Sequence, residues 1–255
     1  MGQLTGKLLL VTGAGTGIGK GIALEAGKEG AAVVLHYTHS AEGAEEAAED
    51  IRALGGRSKT LCADLSSVAA CRALVDEAVQ FLGGLDVLVN NSGITLDKPF
   101  LETREEDYDL IFGVNMRGMY FCSQQAVPHM ISRGGGSIVN ISSIHAFRGL
   151  PCHSVYAATK GGIVSFTQEL AVEMAPNHVR VNCIAPGFIE VPRYFATDPT
   201  YTPEKGASLV PWGRAGAPVD IARIAVFLAS DAADLITGTA MIVDGGTTAK
   251  MALGK

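Results

Sequence analysis

Tyr156 and Lys160 stand four residues apart in the stretch SVYAATK, and both residue types can take part in proton transfer. On a helix this spacing places two side chains on the same face. A free phenol has a pKa of about 10, and a cation about 4 Å away contributes about 4 kcal/mol at an effective dielectric constant of about 20. That energy is enough to lower the pKa of the phenol to near neutral pH. The pair therefore predicts a tyrosine that exchanges a proton with a substrate oxygen at physiological pH.

Ser143 supports this prediction, because the same tyrosine and lysine spacing also occurs on ordinary solvated helices. It stands thirteen residues before Tyr156, at the end of the apolar run IVNIS. The carboxyl ends of parallel strands are where ligands bind in such sheets, and a hydroxyl there can hydrogen-bond a substrate oxygen as charge develops on it. The alternative is structural, with Ser142 and Ser143 capping a turn or helix.

The elements that must position these residues alternate along the chain. Short β-branched runs predict strands at KLLLVT, AAVVLHY, SKTLC, DVLVN, GSIVNIS, HVRVNCI and AMIVDGG. Longer segments rich in Ala, Leu and Glu predict helices at 17–29, 41–54, 67–82, 104–132, 155–175 and 218–230. Strands that are apolar throughout indicate a parallel sheet covered on both faces, so the predicted fold is α/β, a doubly wound Rossmann fold with seven parallel strands.

The chain is predicted to be one domain over 1–255, since no linker, charge run or internal repeat divides it. Thr103 and Glu106 match a capping box that would open the helix 104–132. Residues 187–217 break the alternation and are rich in Pro, Gly and aromatic residues. We call this segment the lid, because loops of that length in compact domains usually cover or line a binding site.

Composition excludes several classes of protein. With 20 basic and 26 acidic residues the formal charge is −6, which argues against nucleic acid as a partner. The apolar run near the N-terminus is too short for a signal peptide or a membrane span, so we expect a cytoplasmic protein without a membrane partner. The five cysteines include no CxxC, and His36 and His39 lack further ligands nearby, so neither disulfides nor a metal site is expected.

A glycine turn, TGAGTGIG, follows the first strand directly. Glycines at a strand-to-helix turn let a ligand approach the backbone, and the N-terminus of the following helix attracts a pyrophosphate. The general dinucleotide spacing GxGxxG does not fit these glycines, whereas TGxxxGIG fits from Thr12 to Gly19.

Together with Ser-x12-Tyr-x3-Lys, this motif resembles the short-chain dehydrogenase/reductase family in its form of roughly 250 residues. The resemblance covers nearly the whole chain and includes NNSG, RVNCIAPG and ITGTAMIVDGG. It implies an NAD(P)-dependent oxidoreductase in which Tyr156 is the acid/base, Ser143 orients the substrate, and Lys160 also binds the nicotinamide ribose. By the same resemblance Asn115 holds a water in a proton relay to Lys160.

The resemblance also implies which residues bind the cofactor. They are Gly13, Gly15, Thr16, Gly17, Ile18, Gly19, Tyr37, Thr38, His39, Asp64, Leu65, Asn91, Ser92, Gly93, Tyr156, Lys160, Pro186, Gly187 and Ile189. Members that prefer NAD carry an acid at the end of the second strand, where this chain has Tyr37. The absence of that acid favours NADP over NAD, although basic residues typical of NADP binding are missing at Thr16 and Thr38. Val191 departs from the family pattern, which usually has a hydroxyl there for the nicotinamide carboxamide.

Six residues are the candidates for substrate binding: His145, Arg148, His153, Glu190, Arg193 and Tyr194. Their polarity suits a hydroxyl-rich ligand. The Ser-Ser-Ile-His run resembles glucose 1-dehydrogenase-like members, so we expect a sugar to be oxidised at its anomeric carbon to a lactone. Arg148 and Arg193 either recognise an anionic sugar or form surface or intersubunit pairs.

Two other functions stay open from the sequence. One is a 3-oxoacyl carrier-protein reductase or another ketone reductase, and the other is a nucleotide-sensing protein that keeps the fold without catalysis. Related proteins are commonly homotetramers in which the helices 104–132 and 155–175 pair between subunits. In such an assembly the C-terminal segment TTAKMALGK would pack on a neighbour.

Overall fold

Seven parallel strands form one sheet at the centre of the protein, in the order β3-β2-β1-β4-β5-β6-β7. The computed structural model describes residues 2–251. The strands are β1 (Leu8–Val11), β2 (Ala32–Tyr37), β3 (Ser58–Cys62), β4 (Val87–Asn90), β5 (Gly136–Ile141), β6 (Val179–Pro186) and β7 (Ala240–Val243). The predicted doubly wound parallel sheet is therefore confirmed. The last four residues of the C-terminal segment expected to pack on a neighbour, 252–255, lie outside the described residues.

Helices cover both faces of this sheet. Their bounds are α1 (Gly17–Lys28), α2 (Ala41–Ala53), α3 (Val68–Leu82), α4 (Glu105–Phe112), α5 (Met119–Ser132), α6 (Ser154–Met174), α7 (Pro192–Thr197), α8 (Pro203–Ser208) and α9 (Pro218–Ala229). One core cluster joins α1, α2 and α9 to the sheet, and a second joins α3, α5 and α6 to its other face.

Alternation of side chains along each strand explains why two apolar layers form. Leu9 and Val11 of β1 belong to the first cluster, whereas Leu10 between them belongs to the second. Successive residues of a strand point to opposite faces, so a strand with helices on both faces must be apolar at every position. This is the physical basis of the continuous apolar runs in the sequence.

The predicted helix 104–132 is helical without a break from Glu105 to Ser132, but it is not α-helical throughout. It consists of α4 and α5 joined by a π-helical turn, Gly113–Gly118, which contains Asn115. The expected capping box at Thr103 and Glu106 is also displaced by one residue. The N-cap is Arg104, and its N–H donates to the Asp107 carboxylate at 3.0 Å.

The lid contains two short helices, α7 and α8, that the sequence did not predict. Pro192 and Pro203 occupy their first positions, where a proline is pre-organised for a helix and its missing N–H is not needed. Within residues 2–251 no helix combines the length and the apolar character needed to cross a bilayer.

Candidate active site

Tyr156 and Lys160 lie on one face of α6 and meet beneath the carboxyl end of β5. The ammonium nitrogen of Lys160 is 5.4 Å from the centroid of the Tyr156 ring. It donates a hydrogen bond of 2.9 Å to the carbonyl of Ile141, the last residue of β5. Lys160 is only 4% exposed, and this burial lowers the pKa of its ammonium group to about 8. The lysine therefore loses its proton far more readily than a lysine in water.

The Tyr156 phenol does not behave as the sequence argument expected. Burial raises its pKa, with Tyr194 acting in the same direction, while the Ser143 hydroxyl and the charge of Arg193 lower it. The Lys160 ammonium lies 5.4 Å from the ring centroid and is bonded to the Ile141 carbonyl, and its charge does not offset the burial of the phenol.

Ser143 lies at the carboxyl end of β5, close enough to Tyr156 to affect its pKa. Its hydroxyl also accepts a hydrogen bond of 3.2 Å from the N–H of His145 and so caps a short 3-10 turn, Ile144–Ala146. Both sequence interpretations of this serine therefore describe the same geometry. A hydroxyl held by its own turn points in a fixed direction beside the phenol.

Asn115 is buried in the π-helical turn and is held by the backbone of Ile94. Its side-chain oxygen accepts from the Ile94 N–H at 2.8 Å, and its amide donates to the Ile94 carbonyl at 2.9 Å and to the Thr159 hydroxyl at 3.1 Å. A Cβ added at Gly93 would lie 3.4 Å from both Asn115 Oδ1 and Lys160 Nζ. Asn115, Lys160 and the strand end at Gly93 thus enclose a single small volume.

The glycine turn between β1 and α1 leaves no room for side chains. A Cβ at Gly15 would lie 2.4 Å from the Ser40 carbonyl oxygen, and one at Gly19 would lie 2.1 Å from that of Gly13. Gly13 and Gly17 have φ values of 65° and 54°, which glycine adopts without strain. The N-cap side chain of α1 makes no capping hydrogen bond, so the first N–H groups of this helix are available to an anion.

A second group of candidate residues follows β2 and β3 at the same edge of the sheet. The ring of His36 bridges the glycine turn and the end of β3, with Nδ1 accepting from the Gly13 N–H at 3.1 Å and Nε2 lying 3.0 Å from the Ala63 carbonyl oxygen. Thr38 donates its hydroxyl hydrogen to that same carbonyl at 2.9 Å, so this hydrogen is not free for a phosphate. Asp64 is exposed and accepts from the Ser66 N–H at 2.9 Å.

Further residues predicted to bind the cofactor follow β3, β4 and β6. Thr12 fixes the turn after β4 by accepting from the N–H groups of Asn91 and Ser92, each at 3.0 Å. Leu65 is buried in the core beside α3. Pro186 ends β6, and the chain passes through Gly187 and Ile189 into the lid.

Four of the six predicted substrate residues lie near Tyr156. The ring centroids of His145 and His153 are 5.4 and 6.5 Å from that of Tyr156, and the Arg193 guanidinium and the Tyr194 phenol influence the pKa of Tyr156. No side chain within residues 2–251 forms an ion pair with Arg193.

The other two predicted substrate residues are engaged elsewhere. Arg148 donates to the backbone carbonyls of Phe147 at 2.9 Å and Thr248 at 3.1 Å, so it ties the loop after β5 to the C-terminal region. The Glu190 carboxylate accepts from the Tyr201 hydroxyl at 2.6 Å and holds the two halves of the lid together.

Several residues with a positional role escaped the sequence analysis. The Thr159 hydroxyl accepts a hydrogen bond from the side-chain amide of Asn115 and donates one of 2.7 Å to the backbone carbonyl of Tyr156. These two bonds couple the π-helical turn to α6. The ring centroids of Phe188 and Tyr201 lie 4.7 and 5.7 Å from that of Tyr194. The three rings form an aromatic wall inside the lid. The only sequence signal for this wall was the high aromatic content of the lid.

Comparisons with known proteins agree with this geometry. A family model described as enoyl-(acyl carrier protein) reductase matches residues 13–248. Hydroxynaphthalene reductase-like protein Arp2 of Metarhizium robertsii is 40% identical and aligns over 96% of each chain. The 3-oxoacyl-(acyl-carrier-protein) reductase FabG of Thermotoga maritima is 38% identical over 96% of this chain and 98% of its own. A short-chain dehydrogenase from Burkholderia cenocepacia, solved in complex with NADP, superposes with a TM-score of 0.89 at 33% identity, covering 96% of this chain and 99% of that one.

Proposed function

Because this chain belongs to the short-chain dehydrogenase/reductase family of oxidoreductases, we propose that Tyr156, Ser143, Lys160 and Asn115 carry its reaction. The reaction moves a hydride between a nicotinamide cofactor and a carbonyl carbon or the corresponding alcohol. The observation that carries the proposal is the meeting of the phenol, the buried ammonium and the serine hydroxyl at the carboxyl end of β5. Three elements, β5, its following turn and α6, bring these groups together.

In the direction of reduction, Tyr156 donates its phenolic proton to the carbonyl oxygen. Its raised pKa keeps the phenol protonated at neutral pH, as a general acid must be. Ser143 donates a hydrogen bond to the same oxygen and orients the carbonyl, because its own position is fixed by the turn that it caps. When bound, the cofactor would supply the hydride to the carbonyl carbon.

Lys160 then returns a proton towards Tyr156. A pKa lowered to about 8 makes this ammonium a usable proton donor near neutral pH. Both hydrogens of the Asn115 side-chain amide are already donated, one to the Ile94 carbonyl and one to the Thr159 hydroxyl. We therefore propose that the relay water donates a hydrogen bond to an oxygen of Asn115. In the oxidative direction the same groups act in reverse.

The residues of this chain fit a dinucleotide. The glycine turn with the open N-terminus of α1 suits its pyrophosphate, and the exposed Asp64 next to Leu65 suits its adenine. Asn91 to Gly93 would line the middle of a dinucleotide bound along this edge, and Tyr156 and Lys160 would face its nicotinamide end. Pro186 to Ile189 would lie beside that end, on the side of the lid.

We propose NADP as the preferred nucleotide, with NAD as the alternative. No carboxylate stands at Tyr37, Thr38 or His39 to repel a 2′-phosphate, and the hydroxyl of Ser40 makes no capping hydrogen bond at the start of α2. The NADP complex of the Burkholderia cenocepacia relative supports this choice. Kd values for NADPH and NADH, measured by fluorescence titration, test it.

For the substrate, the contacts favour a ketone or its alcohol over a sugar. A sugar oxidised at its anomeric carbon is supported by His145, His153 and Arg193, which lie beside Tyr156. Arg148 and Glu190, however, are already bound within the protein. The aromatic wall of Phe188, Tyr194 and Tyr201 instead suits a less polar carbonyl compound. Assays of aldoses, acidic sugars, ketones and acetoacetyl thioesters with each nucleotide distinguish these substrates.

The variant Tyr156→Phe tests the proposed function as a whole. Turnover should fall by about 10²–10⁴-fold, because the proton donor is lost, while NADPH binding should be retained. Tyr108→Phe is the matched control, since the Tyr108 ring stacks on Phe112 and is 47% exposed. Full turnover by Tyr156→Phe would contradict the proposed role of Tyr156. Nucleotide binding without turnover of any carbonyl by the natural protein would favour the non-catalytic sensor.

We also propose that the protein assembles as a homotetramer. Leu110, Tyr120 and Val172 are apolar and exposed on α4, α5 and α6, the helices expected to pair between subunits. At the end of the sheet, Ile242 of β7 is 42% exposed. Light scattering should give about four times the chain mass of 26.5 kDa, and a monomeric mass at micromolar concentration would contradict the proposal.

A further inference from the structure

His36 is a fully buried histidine near the end of β2 that no step of the proposed reaction uses. Its exposed fraction is 0%, and the rest of β2 consists of Ala, Val, Leu and Tyr. Buried polar groups in folded proteins are hydrogen-bonded, so an imidazole here needs a partner for each ring nitrogen. The two partners belong to different segments, the glycine turn after β1 and the turn after β3.

The two hydrogen bonds define one tautomer of the His36 ring. Nδ1 accepts from the Gly13 N–H at 3.1 Å, so that nitrogen carries no proton. Nε2 therefore carries the hydrogen and donates it to the Ala63 carbonyl at 3.0 Å. Burial lowers the pKa of the imidazole below the usual value of 6.5, although the bond to Ala63 opposes this effect. At pH 7 the ring is neutral, and its acceptor nitrogen is available to the glycine turn.

Gly13 is held from both sides, by β2 and by the turn after β4. Its N–H donates to the His36 ring, and its carbonyl accepts from the Asn91 side-chain amide at 3.0 Å. The next N–H, that of Ala14, donates to the backbone carbonyl of His36 at 2.7 Å. His36 therefore helps to fix the direction in which the chain leaves β1 towards the open N-terminus of α1.

The two hydrogen bonds of the His36 ring are not equally replaceable. The Ala63 carbonyl has a second donor, because the Thr38 hydroxyl also bonds to it at 2.9 Å. The Gly13 N–H has no second acceptor among residues 2–251. Removal of the imidazole would thus free the glycine turn, while the segment that leads into Asp64 would stay bonded.

We propose that His36 is a positioning residue for the nucleotide, which sets the distance between the pyrophosphate at the glycine turn and the adenine at Asp64. This inference rests on the proposed function and adds a residue that does not itself touch the ligand. One rigid ring joins Gly13 to Ala63, so the two segments cannot move apart without breaking a hydrogen bond. A dinucleotide must occupy both segments at once, and it therefore gains affinity from their fixed spacing.

Nucleotide titrations of His36 variants test this role, using NADPH, NADH and 2′-AMP, which lacks the pyrophosphate. His36→Leu should raise the Kd of both NADPH and NADH by about tenfold, because the Gly13 N–H loses its acceptor. The Kd of 2′-AMP, and kcat at saturating NADPH, should each change by less than about twofold. His36→Asn should restore most of the affinity, since its side-chain oxygen can take the place of Nδ1.

Val34→Ala is the matched control for these titrations. Val34 is fully buried on the same strand and the same face of the sheet, two residues from His36. Its truncation should lower the stability of the protein without changing the Kd of any of the three nucleotides.

Three outcomes would overturn the inference. One is an equal rise in the Kd of NADPH for His36→Leu and Val34→Ala, since His36 would then only support the fold. Another is a rise in the Kd of 2′-AMP as large as that of NADPH, which would place the effect at the adenine alone. The third is a His36→Leu protein that binds NADPH as tightly as the natural protein, or a His36→Asn protein that binds it no better than His36→Leu. If His36→Leu does not fold, as judged by circular dichroism, His36→Val takes its place. A natural protein that binds neither NADPH nor NADH would instead refute the proposed function itself.

Discussion

Replacement of Lys160 by methionine should make the protein more stable at neutral pH while abolishing turnover. Burial lowers the pKa of Lys160 from 10.5 to about 8, a difference worth about 3 kcal/mol at 1.36 kcal/mol per unit. Below pH 8 the folded protein bears this whole cost, because a charged amine is buried. Lys160→Met removes the cost and also the hydrogen bond to the Ile141 carbonyl, whose loss costs about 1–2 kcal/mol. The free energy of unfolding should therefore rise by about 1–2 kcal/mol at pH 7.

The pH dependence gives the sharper test. Between about pH 8 and 10.5 the unfolded chain binds a proton at Lys160 that the folded protein has lost, so the stability of the natural protein rises relative to that of the variant. The advantage of Lys160→Met should shrink across this window and vanish or reverse above it.

Urea unfolding at fixed protein concentration, at pH 7 and pH 9.5, measures both effects. Lys28→Met is the control, because Lys28 is 58% exposed and its substitution should leave the pH dependence unchanged. A Lys160→Met protein that is less stable at pH 7, with a difference from the natural protein that does not vary with pH, would refute the reasoning.

Four further variants follow from the same contacts. Arg193→Met should move the alkaline rise of the oxidation rate to higher pH, because the charge of Arg193 lowers the pKa of Tyr156, and added salt should weaken the effect; an unchanged pH profile at low salt would contradict it. Ser143→Ala should lower kcat by about 10²-fold with NADPH binding retained, as steady-state kinetics and titration would reveal. Gly19→Ala should lower the free energy of unfolding by about 1–3 kcal/mol or more, since its Cβ would lie 2.1 Å from a carbonyl oxygen. Gly161→Ala on α6, where a Cβ meets nothing within 4 Å, should instead raise that free energy by about 1 kcal/mol, and equal effects in urea unfolding would count against both statements.

Local sequence patterns were sufficient to predict the sheet and its helical layers. The central strand β1 is apolar at every position because helices cover both faces of the sheet, and Gly15 and Gly19 in the turn after it are required by close contacts with backbone oxygens. Each of these constraints limits the residue types along one strand or one turn, so it leaves a signature in the local sequence even where the contacting residue, such as Ser40, is distant.

The features that the sequence did not predict depend on contacts between distant residues. The π-helical turn is fixed by hydrogen bonds from Asn115 to Ile94, which is 21 positions away. The Arg148 guanidinium donates a hydrogen bond to the carbonyl of Thr248, which is 100 positions away. No local pattern encodes such pairs, and the same holds for the pKa of Tyr156, which depends on how deeply the folded chain buries it.

The π-helical turn between α4 and α5 has a consequence for how this chain can change its length. An α-helix advances by about 100° for each residue, whereas a wider turn accommodates an additional residue without rotating the next helical segment. Deleting one residue from Gly113–Gly118 would convert the turn into regular α-helix and leave α5 in nearly the same orientation, so Cys122 and Ala126 would still pack on the sheet. The change would instead fall on Asn115, whose backbone would be rewound and whose two hydrogen bonds with Ile94 would be disturbed. The extra residue therefore adjusts the chain at the reaction site without changing which face of α5 serves the core.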